Sequence, residues 1–329
     1  MIKTYKHLSP SDRDHIALRL SQGATKTAIG LELGYSKATI SREVSRNASA
    51  RYGSYLGNQA QKRAEIKAEH AHNHPRLRNG DIRMYVTSHL ELGWSPEQIS
   101  GRMGIEHPGW SISHEAIYQY IYAPKNPDRE YLIKRLRRAY RIRRHKNAGR
   151  VPHATRIPNR VSIDQRPASI LTREQFGHWE SDSLISRQSH ASLNSLTERK
   201  TKLLFLTKME SNTASETSSA IIERLWALPM SAKRTITMDN GKENTQHEAV
   251  TKKLKTKCYF AHPYCSWERG TNENTNGLVR WYLPKGTDFS TVTKEQISVI
   301  ETALNNRPRK CLKYKTPFEA ASSFVALAH

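Results

Sequence analysis

Nine Lys or Arg residues fall between positions 134 and 150, and Pro152, Pro158 and Pro167 follow them. A run this dense repels itself and takes no part in a hydrophobic core. The prolines keep the next stretch extended, because each fixes its own φ and restricts the residue before it. The chain is therefore expected to divide near residue 165, with separate cores on either side. The residues concerned are Lys134, Arg135, Arg137, Arg138, Arg141, Arg143, Arg144, Lys146 and Arg150.

Residues 9–47 carry three helix signals. Ser9-Pro10 is a cap followed by a first-turn proline, Ile16 and Leu20 recur at helical spacing, and Gly23 ends the run. Thr25 caps a second helix with Ile29 and Leu33 on one face. Gly34 supplies a turn, and Ser36 caps a third helix with Ile40 and Val44 inward. Small Gly30, turn Gly34 and inward Ile40 fall at helix-turn-helix spacing. An all-α helix-turn-helix domain is expected over 1–47. The outer face of its third helix carries Lys37, Ser41, Arg42 and Arg46, which suit base edges and phosphates.

Residues 48–80, polar and Ala-rich, read as a linker with some helix. Residues 81–123 read as a second, independent helix-turn-helix-like module. There Ser95-Pro96-Glu97-Gln98 is a capping box, Ile99 and Met103 continue one face, and Gly104 stops it. Ser113 caps the next helix, with Ile117 and Ile121 inward and His114 and Gln119 free to face DNA. The aromatic residues beside them suit a core as well. Residues 124–165 read as a basic linker.

Lys and Arg outnumber Asp and Glu by 53 to 30, a formal charge of +23. Such an excess speaks of partners, and a polyanion is the partner it fits. Arg137, Arg138, Arg143 and Arg144 are expected phosphate contacts, each steepening the salt dependence of binding. A hydrophobic content of 36% still permits real cores. No apolar run approaches a membrane span, and Met1 to Lys6 lacks a signal-peptide stretch. The cytoplasm, in association with the nucleoid, is the expected location. Cys258, Cys265 and Cys311 do not suggest a disulfide framework.

Beyond residue 165 strand and helix signals alternate. Strands are expected at 176–185, 192–199, 202–209, 233–238 and 256–260, and helices at about 213–227, 243–254, 267–281 and 293–306. Three meandering strands, a helix, a strand, a helix and a strand make the ribonuclease-H-like order. The fold class expected is thus α+β multidomain: N-terminal all-α helix-turn-helix modules, then a ribonuclease-H-like α/β catalytic domain over 166–325. In that order the first and fourth strands are neighbours.

That adjacency gives meaning to three acidic segments. His178-Trp179-Glu180-Ser181-Asp182 ends the first strand signal, Met238-Asp239-Asn240-Gly241 follows the fourth, and Glu273 opens a helix 34 positions later. Three carboxylates on two strands and a helix can converge on Mg²⁺, a hard cation that takes oxygen ligands. A pair of such ions is a recurring device for cutting and joining phosphodiesters. Arg269 and Arg280 share the helix face of Glu273, at four positions before it and seven after. They can grip phosphates while the carboxylate holds metal. His247, Cys258, His262 and Cys265 fit no common zinc spacing and are read as packing or substrate contacts.

The segments Gly177 to Asp182, Leu196 to Thr201, Asp239 to Glu243, and Tyr259 to Arg280 resemble the IS30 family of bacterial insertion-sequence transposases. The block running from Tyr259 through Ser266-Trp267-Glu268-Arg269-Gly270-Thr271-Asn272-Glu273 to Arg280 is the most specific. The resemblance extends through Pro284 to Phe289 and covers essentially the whole chain. It implies a DDE transposase with a retroviral-integrase-like core, with Asp182, Asp239 and Glu273 as catalytic and metal-binding triad. The ions implied are two Mg²⁺, with Mn²⁺ as a substitute. The sequence departs from the pattern at Ser181, where a glycine is common, at Asn244, where an aromatic residue is, and at Ser266.

The expected reaction is Mg-dependent cleavage at the element's end, then strand transfer by attack of the freed 3′-hydroxyl. Terminal inverted repeats and target DNA are the expected double-stranded partners. Two ends must be held together, so a homodimer or larger assembly on DNA is expected. One alternative is a DNA-binding regulator whose integrase-like domain is inert, and another is a nuclease acting on RNA–DNA hybrids.

Overall fold

The computed structural model describes residues 7–49, 53–72, 77, 79–136, 157–263 and 265–324. The expected phosphate contacts Arg137, Arg138, Arg143 and Arg144 lie outside the described residues. The chain divides into two compact units, Met1–Arg76 and Leu77–His329.

The first unit contains helices α1 (Pro10–Ser21), α2 (Lys26–Leu33), α3 (Lys37–Asn47) and α4 (Gly57–His72). Ser9, Thr25 and Ser36 each cap a helix by accepting a backbone N–H, and Asp12 completes a capping box with Ser9. Gly34 ends α2 at φ 72°, a left-handed conformation open to glycine at little cost. Ile16, Ile29 and Ile40 are fully buried at the centre. Truncating any one to Ala removes about 2–5 kcal/mol.

Residues 57–72, expected to be linker, belong to this unit. Buried Arg13 explains why. Its guanidinium pairs with Glu43 at 2.9 Å and donates to Gln61 Oε1 of α4 at 2.7 Å. Ala60 joins the same core. Apart from exposed Ile66 the sequence offered only small, polar and charged residues there, and helix α4 is held by Arg13, a partner far off in the chain.

The second unit opens with α5 (Gly80–Glu91), α6 (Pro96–Glu106), α7 (His114–Tyr122) and α8 (Arg129–Arg135). Leu90, Ile99, Met103, Ile117 and Ile121 are fully buried among them. The basic linker expected from residue 124 in fact starts with α8, whose Leu132 and Ile133 complete this core.

A five-stranded sheet follows: β1 (His178–Ile185), β2 (Ser192–Glu198), β3 (Leu204–Met209), β4 (Thr235–Met238) and β5 (Lys257–Phe260). Its order is β3-β2-β1-β4-β5. The first three strands form an antiparallel meander, and β1, β4 and β5 run parallel. This is the ribonuclease-H-like arrangement. Side chains alternate across a strand, so the sheet has two apolar faces. Trp179, Leu196, Ile236, Met238 and Phe260 pack on one side with α9 (Ala214–Trp226) and α10 (His247–Leu254). Leu184, Leu193, Leu204 and Leu206 pack on the other with α11 (Gly270–Tyr282) and α12 (Lys294–Asn305). A short α13 (Pro317–Ala321) is the last helix among the described residues.

The helical module at 79–136 is not independent of this domain. Arg102 of α6 is buried and forks onto Glu319 of α13 at 2.6 and 2.7 Å. Gln98 donates to the Pro308 carbonyl at 2.7 Å and accepts from Arg307 at 2.9 Å. A buried guanidinium needs counter-ions; Glu106 supplies one from the same helix at 2.8 Å, and Glu319 supplies the other from 217 positions away. No helix among the described residues is long and apolar enough to cross a membrane.

Candidate active site

The β1–β4 ladder ends at the pair Glu180 and Thr237. Just past it the two strands part, and Asp182 and Asp239 stand at this mouth. Alternation puts Asp182 on the same side as Leu184, the side covered by α11. Asp239 follows the last residue of β4 directly.

One guanidinium joins the two carboxylates. Arg269 donates from Nη1 to Asp182 Oδ1 at 3.1 Å and from Nη2 to Asp239 Oδ2 at 3.3 Å. The outer oxygens are each held by an asparagine. Asn276 of α11 donates to Asp182 Oδ2 at 2.7 Å, and Asn244 donates to Asp239 Oδ1 at 2.8 Å. The backbone N–H of Gly241 also reaches Asp239 Oδ1, at 3.1 Å. A side chain on Gly241 would come within 2.4 Å of the Glu243 carboxyl, so that carboxyl packs directly against the turn after Asp239.

Burial pushes the Asp182 carboxyl up. Arg269 opposes this, and the charge of Asp239 adds to it. Burial raises Glu243 as well, with Asp239 and Asp182 repelling its charge. Burial alone would lower the Arg269 guanidinium, but the charges of Asp182 and Asp239 outweigh it and leave it raised. The side chains of Asp182 and Asp239 remain 25% and 34% exposed, open enough for an ion and a phosphate to reach them.

Glu273 lies in the first turn of α11 and is exposed. No three of the described His, Cys, Asp and Glu side chains are gathered closely enough to hold one metal ion. The structure thus brings two of the three expected carboxylates together. Glu273 shares a helix face with Asn276, three residues on, which already touches Asp182. Arg269, expected on phosphates, faces the carboxylates instead. Arg280 donates to the Ile185 carbonyl at 3.1 Å and lies over the Phe289 ring. It borders a groove of about 360 Å³ shared with Asn276, Arg187 and Lys285.

Several contributors escaped the sequence reading. Ser195, opposite Asp182 in the β1–β2 ladder, donates to Asn276 Oδ1 at 2.8 Å. Buried Glu180 accepts the Asn272 N–H at 2.9 Å and pairs with Arg199, fixing the start of α11 against β1. Asn276 and Asn244 were the legible signals, as amides close to Glu273 and Asp239. Asn244 departs from the common pattern at a position that touches a carboxylate. Ser181 accepts from Asn194 through its hydroxyl and from Arg269 through its carbonyl.

Of the expected DNA contacts in the first unit, Lys37, Arg42 and Arg46 are exposed on α3 and Ser41 is half-buried. His114 and Gln119 are exposed on α7. His247 and Cys258 are packed in the core, whereas exposed His262 pairs with Glu268 at 2.8 Å and Asp164 at 3.0 Å.

Residues 4–47 match a family model described as a helix-turn-helix domain. Over 324 residues the chain is 41% identical to the transposase for insertion sequence element IS4351 of Bacteroides fragilis, covering 97% of each. It is 36% identical to transposase InsI for insertion sequence element IS30A of Escherichia coli K12, over 98% of this chain and 85% of that one. The catalytic core domain of BIV integrase aligns with 44% of this chain and 93% of its own, at 19% identity and a TM-score of 0.36.

Proposed function

The chain belongs to the IS30 family of insertion-sequence transposases, and from that premise we propose that it cuts and rejoins DNA at the Asp182–Asp239 pair. The observation that carries this reading is the meeting of the two aspartates at the parting of β1 and β4, with a cation between them.

The donor set suits a divalent metal. Both aspartates offer hard oxygens, and the guanidinium between them stands where a cation is favoured. Asp182 and Asp239 would hold the ions, with Glu273 reaching in from α11 as a third ligand. When bound, two Mg²⁺, or Mn²⁺ in their place, supply activation of a water or a DNA 3′-hydroxyl and neutralise charge at the leaving 3′-oxygen.

The rest is the work of this chain's own residues. Asn276 and Asn244 fix the orientation of the two carboxylates, and Ser195 fixes Asn276. Arg280, Arg187 and Lys285 line the adjoining groove and offer positive charge to a phosphate backbone. Lys37, Ser41, Arg42 and Arg46 on α3 read the terminal inverted repeats, and His114 and Gln119 on α7 add contacts. The basic segment with Arg137, Arg138, Arg143 and Arg144 binds phosphates. The active species is a homodimer or larger assembly holding both ends, in the cytoplasm at the nucleoid.

Labelled terminal-repeat DNA incubated with the protein and Mg²⁺ tests this. Cleavage at the element's end, lost on Asp239→Ala, supports it. Specific binding without cleavage under any divalent metal supports a regulator with an inert core instead. Degradation of RNA–DNA hybrids regardless of sequence supports a nuclease.

A further inference from the structure

We infer that Arg269 is an internal counter-cation of the aspartate pair, occupying it until divalent metal and DNA displace the guanidinium. This rests on the proposed metal-dependent reaction and concerns how the same site is switched on.

Four observations converge on it. First, the fork of Arg269 spans the inner oxygens of both aspartates, one nitrogen to each. The outer oxygens are engaged elsewhere, on Asn276, Asn244 and Gly241. The inner oxygens are thus the ones left for an ion, and Arg269 holds them. Second, the guanidinium is well enclosed, at 11% exposure, so its charge is balanced mainly by those two carboxylates. A divalent ion entering between them would meet this positive charge at close range, and both cannot stay.

Third, Arg269 is incompletely satisfied where it sits. Its Nε is buried with no hydrogen-bond partner. A buried donor left unpaired costs free energy, so the pose is a compromise with something to gain on leaving. Fourth, Arg269 stands outside α11, at the end of a short turn over Ser266–Arg269, while the helix behind it is fixed by the Asn272 N–H on Glu180. The guanidinium can therefore leave by its own side-chain torsions with α11 in place.

Glu273 completes the picture. It stands one turn beyond Arg269 and is exposed, while Asn276 on the same face stays anchored to Asp182. Withdrawal of Arg269 would clear the side of the pair from which Glu273 can approach. A DNA phosphate is a natural new partner for the freed guanidinium, since arginine and phosphate pair through two parallel hydrogen bonds. Metal and DNA would then favour each other's binding, and that coupling is reciprocal.

Mn²⁺ binding to the full-length chain without DNA, read by electron paramagnetic resonance, tests the inference. Arg269→Gln is expected to bind Mn²⁺ about tenfold or more tightly than wild type, the scale set by losing two charge-assisted hydrogen bonds. The gain disappears when Asp239→Asn is added, which assigns the new affinity to the pair. Terminal-repeat DNA raises the Mn²⁺ affinity of wild type more than that of Arg269→Gln. Equal or weaker Mn²⁺ binding by a folded Arg269→Gln overturns the inference. If that variant does not fold, Arg269→Lys decides, because one ammonium cannot fork onto both carboxylates. It should show part of the gain, and no gain overturns the idea. Failure of wild type to cleave DNA with any metal would remove the proposed reaction but leave the Mn²⁺ comparison standing. Cleavage by wild type with unchanged Mn²⁺ binding in the variants would remove this inference alone.

Discussion

Asn276 donates its side-chain amide to Asp182 Oδ2 at 2.7 Å while its carbonyl accepts from Ser195 at 2.8 Å. One amide therefore ties helix α11 to both β1 and β2 at the aspartate itself. A carboxylate on an extended strand has free torsions, and this clamp removes them. Asn244 does the same for Asp239 from the turn after β4, but shares the task with the Gly241 N–H.

The two clamps should therefore differ in weight. Losing a hydrogen bond to a charged group costs about 1.5–3 kcal/mol, roughly ten- to a hundredfold if it acts in the transition state. Asn276→Ala should lower the cleavage rate by that amount with little change in DNA affinity. Asn244→Ala should lower it less. Single-turnover cleavage and end-binding assays on both variants check this, with melting curves to show that they fold.

His178 gives the sheet an acid limit. Its ring is buried, bonded through Nδ1 to Thr235 at 2.8 Å, and has no partner at Nε2. Burial, aided by the charges of Arg234, Arg199 and Arg166, lowers its pKa from 6.5 to about 4. The unfolded chain thus takes up a proton at a pH where the folded chain does not. Stability from this group is present above about 6.5 and is lost as the pH falls toward 4, on the order of 3 kcal/mol in all. Melting temperatures between pH 7.5 and 4 should decline accordingly, and His178→Gln should flatten that decline.

The first unit should carry its own electrostatic signature. Arg42 and Arg46 are exposed on α3, and each phosphate neutralised contributes about −0.9 to the slope of log K against log salt. Replacing both with Ala should make the slope shallower by about 1.8 if each meets one phosphate. Titrations of terminal-repeat DNA from low to moderate salt measure it. An unchanged slope would remove α3 from the phosphate contacts.

Most of the catalytic domain was legible because strand and helix signals alternate along it. The β1–β4 adjacency followed from strand order alone. Helix α4 was not, since Arg13 holds it through Gln61 and a polar helix shows no apolar stripe. The docking of α6 was equally hidden. Arg102 pairs with Glu319, far along the chain, and spacing gives no sign of that pair. At the site, the aspartates stood out as acidic residues at strand ends. Arg269 was visible as a base near Glu273, but its place between the aspartates depends on the turn before α11. Sequence spacing says nothing about that turn.

The docked module offers a packing test. A side chain at Gly101 would come within 2.3 Å of the Tyr314 ring. Gly101→Val should destabilise the second unit by about 1–3 kcal/mol through overpacking. Adding Tyr314→Ala should recover part of the loss. Thermal unfolding of both variants, and of the pair together, reads this coupling.

Polynucleotidyl transfer is the reaction proposed for the Asp182–Asp239 pair. The most direct test offers the full-length protein a labelled terminal-repeat duplex with a preformed 3′-hydroxyl, a supercoiled target plasmid and Mg²⁺. Covalent joining of label to plasmid by wild type, reduced to background by Asp239→Asn with DNA binding retained, is the predicted result. Joining that survives Asp239→Asn would contradict it.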